Sequence, residues 1–210
     1  MIRTTLAVLA TFVFFMVASG QQPATHEGFT VVNRSFSIDP ATHSVHLGEA
    51  DSEGHAWING VEFTEGTIEF DEKGRDLQQR SFVGFLFHGS DDTTFEAIYF
   101  RAFNFRSTDP VRKTHAVQYI SMPGYDWSRL RTEFPGKYEN AVSPVPDPND
   151  WFHVKIVVTG EKISVFVNGD PGPSLTVTSI VHRTGKRVGF WVGNGSPGDW
   201  RNLRIKEGAR

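Results

Sequence analysis

Residues 151–169 read WFHVKIVVTGEKISVFVNG, and this stretch decides the fold. Apolar side chains recur at every second position in 151–158 and again at Ile163, Val165 and Val167. Thr159-Gly160-Glu161-Lys162 turns the chain between the two arms, and Asn168-Gly169 closes the second. Side chains on a strand alternate between its faces, so a period of two on both arms predicts a β-hairpin with one face buried. Working outward, 188–192 and 200–206 read as a closing pair of strands separated by the loop 193–198, GNGSPG. Residues 67–72 alternate, with Ile68 and Phe70 on one face and Glu69 and Asp71 on the other. The segments 82–88 and 95–103 are apolar at nearly every position, as strands covered on both faces are, and 89–93, GSDDT, supplies the turn between them. The runs 29–32, 35–38 and 44–47 follow one another closely and read as an N-terminal meander. Short strands with turn chemistry between them and little helix predict an all-β antiparallel β-sandwich of the jelly-roll kind.

Composition narrows the function classes. The 210 residues carry 21 Lys and Arg against 24 Asp and Glu, a net charge of −3, with no long basic run to draw nucleic acid or an anionic membrane surface. No Cys is present, which excludes disulfides, thiolate metal sites and a Cys nucleophile. Arg3, the apolar run from Leu6 to Val17 broken only by Thr11, and the small residues Ala18-Ser19-Gly20 read as a secretory signal peptide over 1–20, with cleavage near Gln21. Its removal takes away one Arg and no acid, leaving a net charge of −4. The expectation is one domain over 21–210, secreted or periplasmic and free of the membrane after cleavage. A secreted domain without disulfides needs a large core, and of the 18 Phe only Phe12, Phe14 and Phe15 fall in the leader.

The segment 104–150 departs from the strand pattern. It holds one strand at 116–120, a helical turn over 126–134 stopped by Pro135-Gly136, and the Pro-rich run 143–148. Connections this long are uncommon unless functional or disordered, and Tyr125, Trp127, Phe134 and Tyr138 argue for order.

The strings WFHVKIVVTGEKISVFVNG and RVGFWVGNGSPGDWRNLRI, preceded by GTIEFD, FVGFLFHG and AIYFRAFNF, resemble the strands of concanavalin A-like lectin/glucanase and laminin G-like sandwiches. Within that superfamily the chain is most similar to secreted bacterial domains of the 3-keto-disaccharide hydrolase-like type, over about residues 29–205. The resemblance implies the fold and a carbohydrate partner. One fold hosts many activities, so the activity must come from the site.

Three constellations are candidates. Glu69, Asp71 and Lys73 share one strand face, and a retaining glycosidase needs two carboxyl groups across its substrate. Related endoglucanases of the superfamily carry E-x-D-x-x-E; here Gly74 stands in place of the last Glu and the acid/base is missing. The alternative is a solvent-facing acidic stripe. The turn His88-Gly89-Ser90-Asp91-Asp92 offers oxygen ligands to Ca²⁺, or else ordinary turn chemistry; no His spacing marks a metal site, and neither a metal nor a cofactor is expected. The central segment brings aromatic rings and planar polar groups together over a sheet. His88, Arg101, Gln118, Tyr125, Trp127 and Arg131 are the candidate ligand-binding residues, because sugar C–H faces stack on rings and sugar hydroxyls bond planar donors and acceptors. Arg101 shares a face with Phe95, Ala97 and Tyr99, so it must reach a polar ligand or pair with an acid such as Glu139.

Three function classes follow. The chain is a carbohydrate-binding jelly roll, a 3-keto-glycoside hydrolase with His88, Glu96 or Glu139 as base and Arg101 as oxyanion partner, or a structural domain with no small ligand.

Overall fold

The computed structural model describes residues 24–26 and 28–208; the signal peptide read at 1–20 lies outside the described residues. In chain order the strands are β1 (Ala24–His26), β2 (Phe29–Val32), β3 (Phe36–Ile38), β4 (Val45–Leu47), β5 (Gly54–Ile58), β6 (Gly66–Lys73), β7 (Phe82–Asp91), β8 (Thr94–Arg101), β9 (Val117–Met122), β10 (Glu139–Asn140), β11 (Phe152–Thr159), β12 (Lys162–Val167), β13 (Leu175–Thr178), β14 (Arg187–Val192) and β15 (Gly198–Glu207). Two short helices, α1 (Pro110–Lys113) and α2 (Trp127–Glu133), lie between β8 and β10.

The strands form two antiparallel sheets packed face to face. One has eight strands in the order β1-β2-β5-β14-β7-β8-β9-β10, and the other seven in the order β13-β12-β11-β6-β15-β4-β3. This is the antiparallel sandwich that the alternating sequence predicts. The hairpin β11–β12 forms as read, with Phe152, Val154, Ile156 and Val158 buried and Gly160 turning the chain at φ +55°. Between the sheets Phe85 stacks on Phe70 at 5.1 Å, Phe190 on Trp200 at 4.9 Å, and Phe100 meets Phe152 edge-on at 5.2 Å. Each such ring contributes roughly 1.5–3 kcal/mol by leaving water, which is how a chain without disulfides holds its sheets together.

Two pairings differ from the sequence reading. The N-terminal runs are not one meander: β2 pairs with β1 and β5, whereas β3 and β4 form a hairpin in the other sheet. Asn33, at φ +52°, redirects the chain, and the Arg34 guanidinium donates to the carbonyls of Asn33, Ser52 and Gly193 at 2.5, 2.7 and 2.9 Å, fixing the crossover. The two final strands also lie in opposite sheets. β14 pairs with β5 and β7 while β15 pairs with β4 and β6, so the 193–198 loop spans the sandwich rather than closing a hairpin.

The long central segment is ordered. The strand read at 116–120 is β9, and the helical turn at 126–134 is α2, N-capped by Asp126, whose carboxylate accepts from the Arg129 amide at 2.8 Å. Leu130, 1% exposed, anchors this helix, and the chain then returns as β10 on the edge of β9. No helix among the described residues is long and apolar enough to cross a membrane.

Candidate functional site

The rings that cross the sandwich fix which face of the eight-stranded sheet points inward, and alternation turns the intervening residues to the outer face. The register sets Trp191 opposite Gly84, Gly84 opposite Tyr99, Tyr99 opposite Gln118, and Gln118 opposite Glu139, one continuous row across β14, β7, β8, β9 and β10. Gly84 is required in that row. A Cβ there would stand 2.2 Å from the Ile98 carbonyl oxygen and 2.6 Å from the Tyr99 Cβ. Without one, the Trp191 and Tyr99 rings meet over the strand at 4.9 Å. The next row places Phe82 opposite Arg101, which is the last residue of β8 because 102–104 winds into a 3₁₀ turn.

Arg101 is 5% exposed and caged by rings, its guanidinium carbon 4.9 Å from Tyr99, 5.9 Å from Phe82 and 5.9 Å from Trp127. It donates to the Tyr99 hydroxyl at 2.7 Å, to the His115 carbonyl at 2.9 Å and, at 3.4 Å, to the Gln118 side chain. Its nearest acid is Glu139 at 3.9 Å, but that carboxylate accepts two shorter bonds from Arg131, at 2.7 and 2.5 Å. Trp127 and Arg131, four residues apart, share one face of α2, and the Arg131 guanidinium lies 5.0 Å from the Trp127 ring.

Two adjoining cavities result. A groove of 490 Å³ is lined by Phe82, Tyr99, Ile120, Met122, Trp127 and Trp191, with Glu53, Gln79, Asp126 and Asn194 among its polar residues. A pocket of 270 Å³ shares Gln79, Phe82 and Trp127 with it and adds Arg101, Asn104, Arg112, His115 and Arg131. Trp127 is 47% exposed, an open ring face at the junction. Trp191 is 5% exposed, and its indole N–H meets no acceptor in hydrogen-bonding geometry. Glu53, although exposed, is ringed closely enough by the groove walls that desolvation raises its carboxyl pKa. The Trp191 indole N–H, which faces this carboxylate without closing to full hydrogen-bonding geometry, and the Arg34 charge oppose that rise.

Of the residues singled out from sequence, Arg101, Trp127 and Arg131 converge on these cavities. Gln118 does not face them. It is wholly buried beneath Arg101, its amide donating to the carbonyls of Tyr119 and Tyr138 at 2.9 and 3.1 Å. Tyr125 stands aside, its ring covered by the Arg129 guanidinium at 4.3 Å. His88 lines a separate cavity of 530 Å³ with Glu96, Ser179 and His182. There His88 Nδ1 pairs with Glu96 at 2.5 Å and Nε2 meets the Thr64 carbonyl at 2.7 Å, while Glu96 also accepts from Tyr119 and Ser179. Burial opposes a charge on His88, but the Glu96 and Thr64 bonds and the Glu96 charge outweigh it and raise its pKa.

The other two constellations stand apart from the groove and its adjoining pocket. Asp71 pairs with His153 at 2.9 Å and Arg201 at 3.4 Å, and Glu69 stands 3.6 Å from His153, all on the outer face of the seven-stranded sheet and away from the groove and its adjoining pocket; Glu69 and His153 line a further cavity of 450 Å³. Asp91 accepts from the Thr93 amide and hydroxyl, each at 2.8 Å, and Asp92 accepts from the Trp57 indole at 2.7 Å. Among the described residues no three His, Asp or Glu side chains stand together as a metal-holding group.

The comparisons with known proteins bear on this architecture. The chain is similar to carbohydrate-binding module CBM66 from Bacillus subtilis, with a TM-score of 0.59 at 15% identity over 84% of this chain and 93% of that one. It has a concanavalin A-like, lectin-like fold. The likeness extends to the exoplasmic/lumenal domain of VIP36 in its Ca²⁺/Man3GlcNAc-bound form, with a TM-score of 0.54 at 13% identity and 86% of each chain covered. It extends also to a candidate glycosyl hydrolase from Parabacteroides distasonis, with a TM-score of 0.52 at 12% identity over 84% of this chain and 87% of that one. No family model and no curated protein matches the sequence.

Trp191, Tyr99, Phe82, Asn104, Arg112 and His115 join the cavities without having been singled out as ligand-binding residues. Tyr99 carried a signal, sharing its strand face with Arg101. Trp191 carried none, because its neighbourhood depends on the register of β14 against β7.

Proposed function

We propose that this protein binds a carbohydrate in the groove on the outer face of its eight-stranded sheet. The observation that carries the reading is Trp191, a buried ring in the wall of an apolar groove whose N–H faces the Glu53 carboxylate without closing a hydrogen bond. An unsatisfied buried donor costs about 1–3 kcal/mol, and a sugar hydroxyl oxygen relieves that cost on binding. Trp127 supplies an exposed ring face for the apolar C–H side of a sugar, and Gln79, Glu53 and Asn194 supply polar groups for its hydroxyls. The 490 Å³ groove suits small-molecule recognition, for which sites run from about 300 to 1,000 Å³, and the 270 Å³ pocket extends it. The carbohydrate-binding module and the glycan-bound lectin domain among the structural neighbours support the same reading. The leader read at 1–20 supports an activity outside the cytoplasm.

Binding fits the geometry better than hydrolysis. Each base considered for a hydrolase is already engaged: His88 through both ring nitrogens, Glu96 by three donors, and Glu139 by Arg131. Titration of the chain with a panel of oligosaccharides, followed by tryptophan fluorescence, tests the proposal. Saturable binding by at least one glycan is expected.

A further inference from the structure

We infer that the preferred glycan is acidic, its anionic group held in the pocket among Arg101, Arg112 and Arg131 while the sugar ring occupies the adjoining groove. This inference rests on the glycan-binding reading and names its ligand class. The pocket walls present three guanidiniums and no carboxylate. The nearest acid, Glu139, is 5% exposed, is gripped by both arms of Arg131 and stands 3.9 Å from Arg101, so among the described residues of this pocket one carboxylate is shared against three guanidiniums. Asp109, the acid nearest Arg112 in sequence, spends its Oδ1 on the amides of Val111 and Arg112 at the start of α1. Among the described residues the Arg112 guanidinium donates only to the side-chain oxygen of Gln78. His115 adds no lasting charge, because burial lowers its pKa against the pull of Glu139.

A second observation points the same way. Asn104 lines this pocket at 3% exposure, and its Oδ1 has no donor. A guanidinium cluster beside an orphan acceptor matches a ring that bears an anionic group next to a hydroxyl: the guanidiniums take the anion in planar, charge-assisted bonds, and the hydroxyl donates to Asn104. Carboxylated and sulfated sugars share that chemistry.

Calorimetric titration of the chain with an oligogalacturonide, a sulfated chondroitin oligosaccharide and an uncharged mannooligosaccharide tests the inference, with Arg112→Gln alongside. Arg112 holds no part of the core, so this variant keeps the fold. The expected result is that one acidic ligand binds at least about tenfold tighter than the uncharged one, and that Arg112→Gln removes most of that preference. The acidic arm that binds tighter identifies the anion as carboxylate or sulfate. Uncharged sugar binding as tightly as both acidic ligands, or acidic binding indifferent to Arg112→Gln, overturns the acidic preference and leaves the glycan reading standing. No binding in any arm overturns both.

Discussion

Arg131 grips both carboxylate oxygens of Glu139, at 2.7 and 2.5 Å, and leaves Arg101 3.9 Å from the same acid. One buried carboxylate thereby anchors the helix that carries Trp127 and balances a buried guanidinium on the sheet below. Removing a single partner from a buried ion pair strands the other charge. Glu139→Gln should therefore lower the unfolding free energy by about 3 kcal/mol, read as a fall in the urea midpoint. An unchanged midpoint would mean that Tyr99, Gln118 and the His115 carbonyl suffice to hold Arg101.

Gly84 lets the Trp191 and Tyr99 rings close over β7. In Gly84→Ala the new methyl meets strand backbone that cannot swing aside, so a loss of about 2 kcal/mol is expected together with weakened glycan binding. Thermal melts and a saccharide titration on the same sample check both. Wild-type stability in this variant would show that β7 and β8 can separate locally.

Glu72 governs the alkaline side of stability. It is fully buried between the sheets, where desolvation raises its pKa to about 8 against the bond it accepts from Trp200. A carboxyl whose folded pKa is raised holds its proton in the native state while the unfolded chain gives it up. Stability therefore falls as pH rises from about 4.5 towards 8, by on the order of 4 kcal/mol in all. His88, also raised, adds a loss of the same sign above its unfolded pKa near 6.5. Glu72→Gln should flatten the fall and be more stable than the parent at pH 8, measured by urea unfolding from pH 5 to 8.5. Parallel pH profiles for the two proteins would contradict this.

The sandwich was legible from sequence because one-face burial writes a period of two into β6, β11 and β12, and cover on both faces writes continuous apolar runs into β7 and β8. Which strands pair was not legible. Adjacent runs such as β2 and β3 look like neighbours whether or not the chain changes sheet between them, and Asn33, which redirects it, is an ordinary turn residue by type. β5 and β13 passed unread, since GHAWI and LTVT are short and carry only weak alternation. The site divided along the same line. Arg101 declared itself as a charge among apolar neighbours, and Trp127 and Arg131 as a ring and a planar donor in the central aromatic segment. The roles of Gln118 beneath Arg101 and of His88 in another cavity depend on cross-strand register, which no local pattern contains.

Glu69 and Asp71 lie on the outer face of the opposite sheet, tied to His153 and Arg201. The double variant Glu69→Gln/Asp71→Asn should bind saccharide as the parent does, and because both carboxylates are half-buried with several partners it should lose about 1–2 kcal/mol of stability. A collapse of binding in this variant would relocate the site to the seven-stranded sheet.

The most direct measurement compares Trp191→Phe and Trp127→Ala with the parent in a saccharide titration followed by fluorescence. Trp191→Phe keeps a ring and deletes the unpaired donor, so affinity should fall about tenfold with little change in melting temperature. Trp127→Ala should lose the stacking face and weaken binding at least as much. Binding unchanged in both variants, or no saccharide bound by the parent, would contradict the account.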